Sequence, residues 1–192
     1  MIITNEREII VLIQEDKWMM ELLNSAQTLK LPDWWICAGF VRSKIWDVQH
    51  GFDERTTIPD IDVIYYDRTN REKSVEKEHE EALKRLLPTI PWSVKNQARM
   101  HSINNISPYS SSVDAISKFP ETATALGVKL NDRDNVILTA PHGIEDVVNL
   151  RVKPTPSFCE NKEQMKIYED RIRKKNWQVV WSKVEIIRVN SN

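Results

Sequence analysis

Residues 37–67 read CAGFVRSKIWDVQHGFDERTTIPDIDVIYYD, and this stretch decides the fold. The apolar run WWICAG, 34–39, predicts a buried strand that closes on Gly39. FVRSKIWDVQ fits a short helix, and the polar, turn-rich HGFDERTTIP after it reads as a loop. DIDVIYYD is β-branched and aromatic, so it predicts a second strand. Asp60 and Asp62 stand two apart at its mouth, which puts both side chains on one face. Two carboxylates so placed repel each other. A divalent cation offsets that repulsion, and hard ions such as Mg²⁺ (or Mn²⁺) select carboxylate and phosphate oxygen. Such ions can bridge the attacking and leaving oxygens of a phosphoryl transfer. A solvated strand end accounts for the pair without any metal, so the pair needs company to mean more.

The company lies upstream. Glycine lets backbone approach a ligand closely. A helix starting at Phe40 or Val41 presents free amides and the positive end of its dipole, which suits a phosphate. Gly39, Phe40, Arg42 and Ser43 are therefore the candidate phosphate-binding residues, with Arg42 in the first turn able to add a bidentate contact. A plain turn and a surface ion pair are the simpler accounts of Gly39 and Arg42. The succession of strand, glycine turn, helix, loop and Asp-x-Asp strand is rarer than any of its parts.

Working outward, Asn5 and Glu8 form a capping-box pattern for a helix over 5–14. A second helix is predicted over 16–29, where Trp18, Leu22 and Ala26 recur. Residues 71–87 predict a charged helix with one buried stripe, Val75, His79, Ala82, Leu83 and Leu86. WSVKNQARMH, 92–101, alternates like a half-buried strand. A short helix over 111–118, strands in TATALGVKL and NVILTAP, a helix start in HGIEDVVNL, an extended KPTPSF and a helix over 161–176 complete the pattern. Interleaved helices and strands predict a mixed α/β (α+β) domain. The boundaries implied are an N-terminal helical segment 1–30, a core 31–160 and a C-terminal helix and tail 161–192.

The chain has 192 residues, enough for one sizeable core. Twenty-seven Lys and Arg face 28 Asp and Glu, so no global basic field invites nucleic acid or anionic membrane. No stretch is long enough to span a bilayer, and the opening residues are not those of a signal peptide. Cys37 and Cys159 match no zinc or redox spacing, which suits reduced thiols in a cytoplasmic protein.

AGFVRSKIWDV followed by PDIDVIYYD resembles the nucleotidyltransferase superfamily of DNA polymerase β and the CCA-adding enzymes. Ala38-Gly39 stands where that pattern has paired glycines, Val41-Arg42 matches its Val-Arg, and Ser43 replaces an aspartate. Asp60-Ile61-Asp62 matches the metal-binding pair. VKNQARMH, PETATALGVKL and HGIEDVVNLRVKPTP extend the likeness, over roughly 30–180, to small bacterial nucleotidyltransferase-like proteins. The resemblance implies a polymerase-β-like core: a mixed sheet flanked by helices. It also implies transfer of a nucleoside monophosphate from an NTP to a hydroxyl acceptor with Mg²⁺ (or Mn²⁺), Asp60 and Asp62 being the catalytic metal ligands. The superfamily supplies a third carboxylate from a neighbouring strand, and WSVKNQARMH contains no acid. Asn96 is nearest in character there. Asp114 is the possible third acid, in a probable helix, and Glu145 and Asp146 are weaker candidates with helix capping as the simpler role.

His101 reads as a strand end, His142 as part of a turn, and Arg151 as the partner of Asp146. Trp34, Trp35, Trp46 and Trp92 fall around the site strands, with core filling as the default. Lys174, Lys175, Trp177 and Trp181 form a basic-aromatic segment; cations at a helix C-terminus explain the lysines without single-stranded nucleic acid. The expectation is thus a metal-dependent nucleotidyltransferase acting on an NTP and an unidentified acceptor. The alternative is a non-catalytic nucleotide-binding relative lacking the third carboxylate. Acceptor, base preference and oligomeric state are not written in the sequence.

Overall fold

The computed structural model describes residues 2–104, 106–160 and 162–187. Helix α1, Glu6–Gln14, starts where expected: Asn5 accepts from the Glu8 amide, and Glu8 reaches back to the Thr4 amide. Helix α2, Lys17–Thr28, is N-capped by Asp16 and buries Met19, Leu22, Leu23 and Ala26 on one stripe. Strand β1, Trp35–Cys37, runs into helix α3, Gly39–His50. A loop leads to strand β2, Ile61–Tyr65, then helix α4, Lys73–Leu86, and strand β3, Trp92–Asn96. Helices α5, Gln97–Asn104, and α6, Ser112–Ser117, follow, and then strands β4, Gly127–Leu130, and β5, Val136–Thr139. The chain closes with α7, Glu145–Val148, β6, Arg151–Val152, α8, Pro156–Cys159, α9, Lys162–Lys175, and β7, Glu185–Ile186.

Five strands form one mixed sheet in the order β3-β2-β1-β4-β5. Only β2 and β3 run parallel; β1 pairs antiparallel with β2 and β4, and β4 with β5. Strand alternation divides the apolar residues between two clusters. Ile36, Ile61, Val63, Val94 and Val128 join the residues of α1, α2 and α3 in the main core. Trp35, Cys37 and Ile64 face the other way and pack with Ile116 of α6 and with Ala125. Gly127 allows close packing there. A Cβ on it would stand 3.3 Å from Cys37 Cβ, 3.3 Å from Ile116 Cδ1 and 3.4 Å from the Ile36 carbonyl oxygen.

Several sequence expectations change. The strand expected over 92–101 stops at Asn96 and α5 begins at once. Asn96 explains the break, because its Oδ1 accepts from the Ala98 amide and so ends the ladder. The buried positions of α4 include Glu76 and Glu80 beside Leu83. The glutamates have a definite job: Glu80 Oε2 accepts from the Val94 amide at 3.4 Å and Glu76 Oε1 from the Asn96 amide at 2.9 Å. Side chains of α4 thereby satisfy donors of edge strand β3 that otherwise invite another chain. KPTPSF is not wholly extended, since Pro156 opens the short helix α8. In TATALGVKL, Thr122–Thr124 is a 3-10 turn and only Gly127–Leu130 is strand. Arg151 is exposed, and Asp146 pairs instead with Lys153 at 3.0 Å while accepting from the Thr122 hydroxyl at 2.7 Å. No helix among the described residues is long and apolar enough to cross a membrane.

Candidate active site

The sheet brings the two halves of the sequence motif to one edge. Cys37, the last residue of β1, pairs with Asp62, so the start of α3 and the aspartates share one end of the β1–β2 ladder. Asp60 is exposed just before β2, and Asp62 is partly buried within it. Burial pushes the Asp62 carboxyl up to about 6, and the neighbouring charge of Asp60 adds to the shift. Ser93, Lys95 and Lys175 act in the opposite sense. Behind the pair, burial and then the charges of Asp62 and Asp60 push the Cys37 thiol well up, so it stays a neutral thiol.

On the neighbouring parallel strand, Ser93 stands opposite Asp62 and Lys95 opposite Ile64. A hydroxyl therefore occupies the face where a third acid was sought, and Lys95 shares that face while its ammonium bonds the Val94 carbonyl at 3.1 Å and pairs with Glu80 at 3.8 Å. Asn96 belongs to the other face: it is buried, and its side chain bonds the backbone of Asp67, Asn70 and Ala98. Asp114 lies in the first turn of α6, accepts from the Ser110 amide at 2.8 Å and pairs with Lys118 at 2.9 Å. Glu145 is exposed in the first turn of α7. His142 bonds the Ser117 carbonyl at 2.7 Å. Among the described residues, no group of three His, Cys, Asp or Glu side chains is placed to hold a metal ion.

The phosphate-binding candidates are built differently from the sequence expectation. The helix starts at Gly39 itself, and the unusual backbone belongs to the residue before it. Ala38 has φ 56° and ψ −117°, a conformation that glycine adopts without cost and a Cβ resists. Gly39 has ordinary surroundings, with the nearest atom to an added Cβ, Arg42 Nη2, at 3.6 Å. Phe40 and Ser43 are buried. Arg42 does not extend into solvent as a surface fork. It is 7% exposed and lies 5.0, 4.7 and 5.6 Å from the rings of Trp46, Trp177 and Trp181. Its Nη2 donates to Ser43 Oγ at 3.1 Å, and its Nε is buried without a hydrogen-bond partner among the described residues. Burial pulls the guanidinium down to about 10, countered by Glu121 and, further down in effect, by Asp60 and Asp47.

Two groups, Glu121 and Asp47, escaped the sequence reading, and a third, Lys175, reads there only as a helix-end cation. Glu121 is fully buried, ion-paired to Arg171 of α9 at 2.5 Å and bonded by the Thr124 hydroxyl at 2.7 Å. Lys175, one turn beyond Arg171, lies close enough to Asp62 to act on its charge. Asp47 accepts from Trp181 Nε1 at 2.8 Å and from Thr56 in the loop before Asp60. Trp177 and Trp181 are thus cage walls around Arg42. Only a long-range pairing signal could have exposed the Glu121–Arg171 and Asp47–Trp181 contacts, which join residues 50 and 134 positions apart.

The nucleotidyltransferase family profile matches residues 24–186. The chain belongs to the nucleotidyltransferase family. A solved structure described as revealing a CCA-adding enzyme head domain is 37% identical, with a TM-score of 0.86 over 97% of this chain and 98% of that one. Longer CCA-adding enzyme chains share the fold at low identity. One solved with CTP is 14% identical with a TM-score of 0.59, matched over 96% of this chain and 44% of that one. The Thermotoga maritima enzyme complexed with tRNA is 17% identical with a TM-score of 0.58, over 98% and 44%. This nucleotidyltransferase chain thus spans less than half the length of those enzymes. No curated protein matches it.

Proposed function

We propose that this nucleotidyltransferase binds an NTP with Mg²⁺ (or Mn²⁺) and transfers its nucleoside monophosphate to a hydroxyl acceptor. The observation that carries the reading is the strained edge where Asp62, raised to about 6 by burial and by Asp60, meets the start of α3. A carboxylate pair whose repulsion and burial outweigh the help of Ser93, Lys95 and Lys175 fits a divalent ion in hard oxygen ligands. Asp60 and Asp62 would hold that ion, which when bound supplies charge stabilisation for phosphoryl transfer. Amides at Gly39 and Phe40, with Ser43 behind them, face phosphate oxygens. Arg42 contributes its charge from beneath that turn, held by indoles, rather than through a surface fork. Lys175 and Lys95 flank Asp62 and suit the leaving pyrophosphate, and positioning plus charge carries most of the catalysis. The acceptor is unidentified; the solved relatives make a tRNA 3′ end the first to test.

The test is calorimetric titration of NTPs with and without Mg²⁺ on the wild type and on Asp60→Ala and Asp62→Ala. Magnesium-dependent binding lost in both variants supports the reading, and a wild type that binds no NTP defeats it. A second reading, nucleotide binding without transfer, is favoured by Ser93 and Lys95 standing where an acid was expected. Binding without pyrophosphate release from any NTP and acceptor would select it.

A further inference from the structure

We propose that Asp47 is a positioning residue that ties the loop leading into Asp60 to the aromatic cage around Arg42. This rests on the reading of the Asp60–Asp62 edge as the metal and nucleotide site. Asp47 sits within α3 and is 4% exposed, a costly place for a carboxylate unless its oxygens are bonded. They are bonded to two distant places. Oδ1 accepts from Trp181 Nε1 at 2.8 Å. Oδ2 accepts from the Thr56 amide at 3.0 Å and the Thr56 hydroxyl at 3.2 Å.

Each end of this tie matters to a different half of the site. Trp181 packs on Trp46 with ring centroids 5.2 Å apart, and both rings flank Arg42. Thr56 lies in the stretch between α3 and β2, which has no strand or helix of its own. The path of that stretch is set by the Asp47–Thr56 bonds, the Arg55–Asp16 pair at 2.6 Å, the Arg55 guanidinium 4.1 Å from the Trp18 ring, the Phe52 ring 5.3 Å from that of His50 and the packing of Ile58 in the core. The Phe52 amide also donates to the Asp47 carbonyl, so the same residue starts the loop and holds its middle. A shift of one carboxylate therefore moves both the approach to Asp60 and a wall of the Arg42 cage.

The chemistry of the carboxylate gives two cuts. In Asp47→Asn, one oxygen remains for Trp181, but an amide NH₂ now faces the Thr56 N–H, donor against donor. Trp181→Phe removes the indole N–H and keeps an aromatic wall. Two measurements on the full chain follow: amide hydrogen exchange over 53–58 and Mn²⁺ affinity by water-proton relaxation. Asp47→Asn is expected to speed exchange in that segment and weaken Mn²⁺ binding about tenfold, the usual effect of losing a supporting contact at a metal site. Trp181→Phe is expected to speed exchange in the same segment, and the double variant to show less than the sum, because both cuts act through one tie. Should Asp47→Asn fail to fold, Thr56→Val removes only the hydroxyl and is expected to show the same loop effect at smaller size. Unchanged exchange and Mn²⁺ affinity in Asp47→Asn, with only a lower melting temperature, would overturn the proposal. A wild type that binds no Mn²⁺ refutes the metal site instead; loop exchange in the variants then decides the tie by itself.

Discussion

Replacing Asp62 by asparagine is expected to stabilise the fold while removing one ligand of the proposed metal site. The Asp62 carboxyl titrates near 6 in the fold against an ordinary 3.8. A difference of about 2 units corresponds to a ceiling of about 3 kcal/mol carried against the ionised form at neutral pH. Asp62 is partly exposed, and screening with local relaxation brings the expected gain to about 1–2 kcal/mol. For a chain of this size that is an increase in melting temperature of about 2–8 °C. The sign follows from linkage. A carboxyl raised in the fold binds its proton more tightly there than in the unfolded chain. Wild-type stability from this group therefore falls as pH rises from about 4 to about 6, then levels off. Asparagine does not titrate and can still bond the Ser93 hydroxyl, so its advantage grows through that window and nearly vanishes below it. Thermal unfolding of both proteins at pH 4.5, 5.5 and 7.5 measures this. An asparagine variant no more stable than wild type at pH 7.5, or equally favoured at all three, refutes the reasoning.

Three further outcomes are expected. Ala38→Gly should stabilise by about 1 kcal/mol in chemical denaturation, because it relieves the Cβ at φ 56°; Ala38→Val should destabilise. Gly127→Ala should cost about 1 kcal/mol, since Cys37 Cβ and Ile116 Cδ1, each 3.3 Å from the added methyl, must give way by a few tenths of an ångström, and the same denaturation curves report it. With an aromatic disulfide reagent, exposed Cys159 should react at once and buried Cys37 only on unfolding; two fast thiols would contradict the packing of β1.

The sequence made local features legible and left the long-range ones dark. The Asn5–Glu8 cap, the periodic stripe of α2 and the β-branched run of β2 are set by neighbours a few residues away. The succession strand, turn, helix, loop and Asp-x-Asp strand was readable for the same reason. Strand alternation at 92–96 was also readable, but its end was not, because Asn96 caps α5 with a side-chain bond that periodicity does not encode. Glu76 and Glu80 look like solvent residues of a charged helix until β3 lies beside them. Arg42 looked like a surface fork because its indole neighbours, Trp177 and Trp181, are far along the chain. The special backbone was sought at Gly39 and sits at Ala38, where an alanine conceals it and the paired glycines of the resembled pattern were the one hint.

The distribution of local cost points to the same edge. Other buried charges in this protein are well supplied. Glu76 meets Arg99 and the Asn96 amide, Glu80 meets Lys77 and the Val94 amide, Glu121 meets Arg171 and Thr124, and Asp146 meets Lys153 and Thr122. Asp47 meets Trp181 and Thr56. Arg42 departs from that pattern: among the described residues its hydrogen-bond partner is one neutral hydroxyl, and its buried Nε is left over. Immediately beside it stand the strained Ala38 and, across the β1–β2 register, Asp62, whose carboxyl stays raised to about 6 despite Ser93, Lys95 and Lys175. A fold selected only for stability would replace each of these with a cheaper residue: glycine, an uncharged helix former, asparagine. Their convergence at one strand end is expected where a cation and a phosphate complete the charge balance that the protein alone leaves open.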